Sequence, residues 1–115
     1  MIIKIKNLKM RAIIGFNDWE REKKQEICIN LSMTTDDETA AVSDSPDDCI
    51  NYKQIKNKVI EGIENTEYYL LEKMASSILE IVMREERLKS ATVEIDKPQA
   101  LRFAESVSIT MTRNR

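Results

Sequence analysis

The sequence predicts a single α+β domain whose elements follow the order ββααββ. Apolar and polar residues alternate in two segments near the start of the chain and in two near its end, which is the period of a half-buried β-strand. Between them, two segments repeat apolar residues every three or four positions, as one face of a helix does. A chain of 115 residues is long enough for one domain with a modest core, so we expect one domain over residues 1–115.

The first strand is predicted at about residues 2 to 14. Its apolar positions change from odd to even numbers near Asn7, and a change of parity within a strand predicts a β-bulge. Gly15 then permits a turn, and FNDWEREKKQ is predicted to be a polar connection that carries one large aromatic residue, Trp19. The second strand follows at about residues 27 to 34.

The stretch TTDDETAAVSDSPDD is acidic and rich in small residues, which predicts a long solvated loop with one helical turn near Ala40. The first helix begins after Asn51, a plausible N-cap, and places Tyr52, Ile55 and Val59 on its inner face. The second helix covers about residues 71 to 82 and ends in the charged segment REERLK. The third and fourth strands are predicted at about residues 90 to 96 and 106 to 112.

The outer faces of the strands carry small polar side chains where a free surface would normally include more long charged ones. They are Asn30, Ser32, Thr34, Thr92, Ser106, Ser108, Thr110 and Thr112. Such a face suits a partly enclosed, water-filled surface, as when sheets from several copies form a wide barrel, and it also suits a plain solvent-facing sheet. Free sheet edges need covering, which favours assembly.

Composition argues against several classes of protein. A net charge of −2 and a pI near 5.3 remove the general attraction for nucleic acid. No apolar run is long enough to span a bilayer, and the chain opens directly on the alternating pattern IIKIK rather than on a signal peptide. These two observations lead us to expect a cytoplasmic protein with no membrane partner. Cys28 and Cys49 are far apart in sequence and form no CxxC unit, so we expect reduced thiols.

The absence of histidine restricts the chemistry further. It excludes Ser-His-Asp and Cys-His nucleophile pairs and the usual zinc and non-haem iron sites. Gly15 and Gly62 are the only glycines, too few for a phosphate-binding loop or a dinucleotide fingerprint. We therefore expect no metal and no nucleotide cofactor, and acid–base chemistry must use Lys, Glu, Asp, Tyr or Cys.

Lys97 is the first candidate, because in ATVEIDK it occupies the next position on the apolar side of the strand. One interpretation is that the strand ends at Asp96 and that Pro98 turns the lysine out into water. The other is that Lys97 lies at the rim of a pocket, where partial desolvation helps its amine to carry protons.

Three further residues stand where apolar patterning predicts something else, and each also has an ordinary structural interpretation. Glu72 lies between apolar neighbours in LLEK and could be a first-turn acid favoured by the helix dipole. Tyr52 could be a core tyrosine with a satisfied hydroxyl. Glu20 could be an unremarkable surface carboxylate.

Taken together, these motifs resemble those of the dihydroneopterin aldolase family. The resemblance rests on IGF-DWE----Q, NY, LLEK and VEIDKP, in that order over nearly the whole chain. It implies a tunnelling fold, in which a four-stranded antiparallel sheet carries two helices on one face. It also implies an oligomeric β-barrel in which rings of four subunits stack into an octamer. The active sites would lie between subunits and bind a reduced pterin without a metal or organic cofactor.

The resemblance also implies roles for individual residues. Glu72 would hydrogen-bond the amino-pyrimidine edge of the pterin, assisted by backbone groups near Leu71. Lys97 would be the general base and acid, Tyr52 would stack near the ring and assist protonation, and Glu20 would complete the site from the adjacent subunit.

Within the family, VEIDK--ALRFAESVSIT, KNLKMR and EN----LLEK are similar to the branch that epimerises 7,8-dihydroneopterin triphosphate at C2′. We expect that activity. The alternatives are 7,8-dihydroneopterin aldolase, which releases glycolaldehyde and 6-hydroxymethyl-7,8-dihydropterin for folate synthesis, and a non-catalytic binding module on the same scaffold. A triphosphate needs cations, and the candidates Arg102, Lys73, Arg11 and Lys53 carry no motif that ranks them.

Overall fold

A computed structural model of the protein describes residues 1–98 and 100–115. It contains one four-stranded antiparallel sheet and four α-helices among the described residues. The elements are β1 (Ile2–Ala12), α1 (Asp18–Glu22), β2 (Gln25–Thr35), α2 (Thr39–Ser43), α3 (Tyr52–Glu64), α4 (Leu71–Val82), β3 (Leu88–Pro98) and β4 (Ser106–Asn114). The strands lie in the order β1-β2-β3-β4. The predicted ββααββ order is confirmed, and α1 and α2 are short additions to it.

The bulge predicted in the first strand is confirmed. The pairing of β1 with β2 shifts register between Ile5 and Leu8, and Asn7 between them has a φ of 53°. Asparagine tolerates this left-handed conformation better than most residues. The backbone N–H of Asn7 donates to Oδ1 of Asn30 on β2 at 2.9 Å, so the bulge keeps its donor satisfied. The strand ends at Ala12, two residues earlier than the predicted end.

The acidic segment after β2 is more ordered than a plain loop. It forms α2, which contains the predicted helical turn at Ala40, and a 3₁₀ turn at Pro46–Asp48. Arg87, just before β3, donates from its two terminal nitrogens to the carbonyl oxygens of Asp48 and Cys49, at 3.0 and 2.9 Å. These contacts fix the end of the segment immediately before α3.

Both long helices cover the same face of the sheet. The buried side of α3 consists of Ile55, Val59 and Ile63, and α4 buries six apolar residues and packs against β3 and β4. The prediction that Tyr52 belongs to this inner face is wrong, because its side chain is 58% exposed. Tyr52 is the first residue of α3, directly after the Asn51 cap, and the buried face begins one turn later.

The opposite face of the sheet carries the predicted small polar residues, which are half-buried or exposed. Across β3 and β4, the hydroxyls of Thr92 and Thr112 are hydrogen-bonded at 2.8 Å. The Cα radius of gyration is 15.4 Å, above the roughly 13–14 Å expected for a compact chain of this length. The long sheet therefore extends beyond the core that the helices cover. No helix of the described residues is long and apolar enough to cross a membrane.

Candidate active site

A cleft of about 240 Å³ opens where the end of β3 meets the loop before α1 and the start of α4. Its walls combine exposed aromatic and aliphatic side chains with three charged groups, Glu20, Glu72 and Lys97. The described residues that line it are Ile14, Gly15, Phe16, Asn17, Trp19, Glu20, Tyr69, Leu70, Leu71, Glu72, Lys97, Ala100, Leu101 and Val107. A flat, polar heterocycle would find both apolar faces and charged ends in such a cleft.

Lys97 belongs to the wall of this cleft. Strand β3 continues through Pro98, and Lys97 is paired with Val107 of β4. Its side chain is only 12% exposed, and its Nζ contacts Oε2 of Glu20. Of the two interpretations of Lys97, the turn into water is wrong, because Lys97 lines the cleft. That its amine carries protons stays a prediction. The strand does not end at Asp96, because Lys97 and Pro98 still pair with Val107 and Ser106 of β4.

Glu20 is buried, with 3% of its surface exposed, so its interpretation as an ordinary surface carboxylate is wrong. It lies on α1, a single turn that brings the carboxylate back under Gly15. The peptide N–H of Asn17 and its side-chain amide donate to Oε1 at 3.3 and 2.7 Å, and the amide of Gln25 donates to Oε2 at 3.1 Å. With Lys97, these donors satisfy both oxygens of the carboxylate.

The environment of Glu20 shifts its ionisation strongly. Burial alone would raise the pKa of the carboxyl, but the hydrogen bonds from Lys97, Gln25 and Asn17 outweigh it and lower the pKa to about 2. Glu20 is therefore an anion throughout the physiological range. The site thus holds a buried carboxylate against an amine, an arrangement that can keep the amine in place while it gives up or takes back a proton.

Arg21 ties the two walls of the cleft together, and sequence reasoning did not identify it. One terminal nitrogen donates to the carbonyl oxygens of Gly15 and Tyr68, at 2.9 and 2.7 Å. Its guanidinium lies over the ring of Tyr69, 4.0 Å from the centroid, and an exposed ion pair joins it to Glu67 at 3.7 Å. Its position beside Glu20 in DWER was the only available signal, because its partners are carbonyls distant in sequence.

Gln25 is the second residue that was missed. Besides binding Glu20, its amide donates to the carbonyl oxygen of Ile14 at 2.7 Å. The final Q of the quoted motif was noted without a role, and the structure gives it one: it holds the buried carboxylate in the orientation that meets Lys97.

Glu72 and Leu71 lie on the opposite wall, in the first turn of α4. Glu72 is exposed to the cleft, and Leu71 is 9% exposed. The N-cap residue Leu70 makes no side-chain hydrogen bond to the N–H groups of the first turn, which also have no intrahelical acceptor. Both interpretations of Glu72, as a first-turn acid and as a ligand for a polar heterocycle, fit this position.

One sequence-based expectation needs correction here, and a second stays a prediction. Glu20 was expected to enter from an adjacent subunit, but it reaches Lys97 within the same chain, because α1 folds back beside the end of β3. Tyr52 was expected beside the same ligand in a site between subunits. It is absent from the described residues that line the cleft of its own chain, and its place beside the ligand stays a prediction. The described residues also contain no group of three or more Cys, Asp or Glu side chains that could hold a metal ion.

Comparisons with known proteins identify the family. The family model for dihydroneopterin aldolase matches residues 3–112. Dihydroneopterin triphosphate 2′-epimerase from Escherichia coli (strain K12) is 38% identical over 99% of this chain and 95% of its own length. Dihydroneopterin aldolase from Haemophilus influenzae is 28% identical, over 95% and 92%.

A solved structure extends the agreement to the whole fold. The crystal structure of E. coli dihydroneopterin aldolase in complex with neopterin superposes with a TM-score of 0.93 at 27% identity, covering 99% of each chain. The sheet, the two long helices and the matched sequence together allow one conclusion. This chain belongs to the dihydroneopterin aldolase family.

Proposed function

We propose that this protein is a pterin enzyme that performs retro-aldol and aldol chemistry on the side chain of 7,8-dihydroneopterin compounds, and that its main reaction is 2′-epimerisation of 7,8-dihydroneopterin triphosphate. The observation that carries the proposal is the contact between Lys97 and the buried Glu20 in a cleft whose other wall presents Glu72. The 38% identity to a 2′-epimerase over nearly the whole chain supports the choice of reaction.

The substrate explains why so few catalytic groups suffice. A 7,8-dihydropterin contains an imine at C6=N5, which can accept the electron pair of the C1′–C2′ bond when that bond breaks. The enzyme need only remove the proton of the 2′-hydroxyl and later return one. In our proposal Lys97 moves this proton, and Glu20 holds the amine within reach. Glu72 and the backbone near Leu71 anchor the polar edge of the pterin.

We also propose that the working enzyme is a homo-oligomer, a tetrameric ring that stacks into an octamer, with each site completed by a neighbouring chain. The cleft is small for a drug-sized ligand, whose pockets typically exceed about 300 Å³. Phe16, Trp19 and Tyr69 around it are each at least 60% exposed, which suits surfaces that another chain covers. Tyr52 would then contribute from the neighbour. The free thiols of Cys28 and Cys49 fit a cytoplasmic enzyme.

Aldolase activity is the second candidate. The motif DWE and the Lys97–Pro98 pair suit it equally well, and the aldolase relatives share the whole length of the fold. The two reactions differ only in the fate of the fragment after C1′–C2′ cleavage: an aldolase releases it, whereas an epimerase adds it back on the other face.

The experiment that tests the proposal is product analysis with dihydroneopterin triphosphate and with dihydroneopterin. Inversion at C2′ supports the epimerase, released glycolaldehyde supports the aldolase, and no turnover of either overturns both. Lys97→Ala should reduce turnover by at least about 100-fold, the usual range for losing a general acid–base group, while neopterin still binds.

Lys89→Ala is the matched control for this substitution. Lys89 lies on the same strand, β3, and is also paired with a carboxylate, Asp36, but its side chain is 63% exposed. We expect its turnover to equal that of the wild type. Full activity in Lys97→Ala would contradict the assigned role.

A further inference from the structure

A second cleft, of about 370 Å³, lies beside the candidate active site. It is lined by Arg11, Trp19, Lys23, Lys24, Gln25, Glu26 and Pro98. Trp19 lines both clefts, so the two clefts are neighbours. Pro98 directly follows Lys97, and Gln25 binds the carboxylate of Glu20. The second cleft therefore starts within one residue of Lys97, which contacts Glu20.

The charge of this cleft is opposite to that of the chain. The protein has a net charge of −2, yet three cationic side chains, Arg11, Lys23 and Lys24, face one carboxylate, Glu26. None of the ion pairs formed by the described residues involves any of these three cations. Arg11 leans across the cleft, where its terminal nitrogen approaches the carbonyl oxygen of Lys24 at 3.4 Å. These cations remain available to an anionic ligand.

We propose that this cationic cleft binds the triphosphate arm of the substrate, an inference that rests on the proposed function. With the pterin edge anchored at Glu72, the side chain of the substrate points towards Lys97 on the facing wall. The triphosphate is attached one carbon beyond C2′ and must leave the first cleft close to Lys97. The cationic cleft opens at that point. Arg11, Lys23 and Lys24 line the cationic cleft, so we rank them first among the cations. The other candidates, Arg102, Lys73 and Lys53, line neither cleft.

The same contacts would decide between the two reactions. A base removes the 2′-hydroxyl proton, the C1′–C2′ bond breaks, its electron pair enters the C6=N5 imine, and C2′ becomes an aldehyde carbon. The released fragment is glycolaldehyde bearing the triphosphate. Held by its phosphates, it can turn and accept the same electron pair at its other face, after which the oxygen at C2′ regains a proton. No oxidant or reductant is consumed. Without the triphosphate, nothing in this cleft retains the fragment, and the aldolase outcome follows.

The binding test compares neopterin triphosphate with neopterin, using the fluorescence of Trp19, the only tryptophan of the chain. The variant is Arg11→Gln/Lys23→Gln/Lys24→Gln. We expect its affinity for neopterin triphosphate to fall at least about tenfold, which corresponds to about 1.4 kcal/mol, while its affinity for neopterin is unchanged. Inorganic triphosphate should compete with neopterin triphosphate on the wild type and not on the variant.

Lys56→Gln/Lys58→Gln/Arg84→Gln is the matched control, because it removes the same charge from α3 and from the segment just after α4, and none of the three residues lines either cleft. We expect it to keep the wild-type preference for the triphosphate. Equal loss in the control and the cleft variant would mean that only overall charge matters and would overturn the inference. So would a cleft variant that keeps the preference.

The outcomes separate the inference from the proposed function. Wild-type protein that binds neither pterin overturns the proposed function itself. Wild-type protein that binds neopterin as tightly as its triphosphate overturns the cationic cleft alone and leaves the aldolase standing. As a second readout, the cleft variant should release several-fold more aldehyde per epimerisation event than the wild type, and an unchanged ratio would contradict fragment retention.

Discussion

At the scale of single residues, Gly15 and Glu20 depend on each other. Gly15 has a φ of +118°, a conformation that L side chains rarely adopt. A Cβ built on it would lie 2.2 Å from the carboxylate of Glu20. The buried carboxylate therefore occupies the space that only a glycine leaves free.

Gly15→Ala should consequently displace Glu20 from Lys97. We expect destabilisation of at least about 1–3 kcal/mol from the strained backbone and a loss of turnover that follows the loss of the ion pair. Chemical denaturation and steady-state kinetics would measure the two effects. Gly62→Ala is the control: it lies inside α3, where its Cβ would meet only the mobile end of Ile81, and turnover should be preserved.

The ionisation of Glu20 makes a prediction about acid stability. Its pKa is lowered from about 4.5 to about 2 in the folded protein, so folding favours the ionised form. The stabilisation is fully present above about pH 4.5 and is lost as the pH falls towards 2. It amounts to at most about 3 kcal/mol, and to less where water in the open cleft screens the charges.

Glu20→Gln should remove this component of the pH dependence. Unfolding free energies measured between pH 7 and 3 should fall more steeply for the wild type than for the variant. Glu80→Gln, an exposed acid on α4, is the control and should retain the wild-type slope. Parallel curves for the wild type and Glu20→Gln would show that the carboxylate is not held as its contacts imply.

Lys97 and Glu20 differ in how far sequence could predict their place in the site. Lys97 interrupts the alternation of a strand, which is visible without a structure. Glu20 is in a short polar segment whose pattern is that of a surface, and its burial follows from Gly15, Gln25 and Lys97 converging on it. Such convergence comes from tertiary structure and leaves no local period.

At the scale of elements, Arg21 holds α1 in place together with the contacts of Glu20. This helix has only five residues, too short to be stable alone. Arg21 joins the helix to the loop after β1 through the carbonyl oxygen of Gly15, and to the α3–α4 loop through the carbonyl oxygen of Tyr68 and the ring of Tyr69. Because that loop leads into Leu71 and Glu72, Arg21 sets the distance between the two walls of the cleft.

Arg21→Ala should therefore weaken pterin binding more than turnover at saturation. Losing hydrogen bonds from a charged donor to half-buried carbonyls costs about 1.5–3 kcal/mol, so we expect KM to rise at least about fivefold with a smaller change in kcat. Arg21→Lys keeps one donor and should recover part of the affinity. Glu67→Gln removes only the ion pair with Arg21 and should change KM and kcat little. If Arg21 were purely structural, Arg21→Ala would instead lower kcat and the fraction of active enzyme without a larger change in KM.

The elements themselves were largely predictable from sequence. The strands and long helices have clear periods, and even the bulge at Asn7 appeared as a change of parity. The sequence did not predict α1, because DWERE lacks an apolar face, nor the extension of β3 through Pro98. That extension depends on β4, since Val107 and Ser106 continue the ladder. Pairing between strands decides where a strand ends, and composition alone does not report it.

At the scale of the whole molecule, the sheet has the features of one part of a larger assembly. The inward residues of β4, Val107, Ile109 and Met111, are only half-buried, as are those of β1. One edge of β1 and one of β4 have no neighbouring strand within the described chain. Open edges beside partly covered apolar residues favour pairing with further copies. Tyr52, exposed and away from the cleft of its own chain, is then free to serve the cleft of another.

This arrangement predicts that a Lys97→Ala chain and a Tyr52→Phe chain will complement each other. Each variant alone should have little activity. In a mixed oligomer, a chain with intact Lys97 can meet a neighbour with intact Tyr52, so random mixing at equal amounts should restore roughly a quarter of the sites. Co-refolding the two purified variants and measuring epimerase and aldolase turnover against the unmixed samples would detect this.

Mixing Lys97→Ala with Glu20→Gln provides the control, because Lys97 and Glu20 contact each other within one chain. No combination of those two chains rebuilds an intact pair, so activity should stay at the sum of the separate variants. Equal recovery in both mixtures would mean that Lys97 of one chain works with Glu20 of another. A Tyr52→Phe variant with full activity by itself would remove Tyr52 from the site, and no recovery in the first mixture would mean that each cleft works within its own chain.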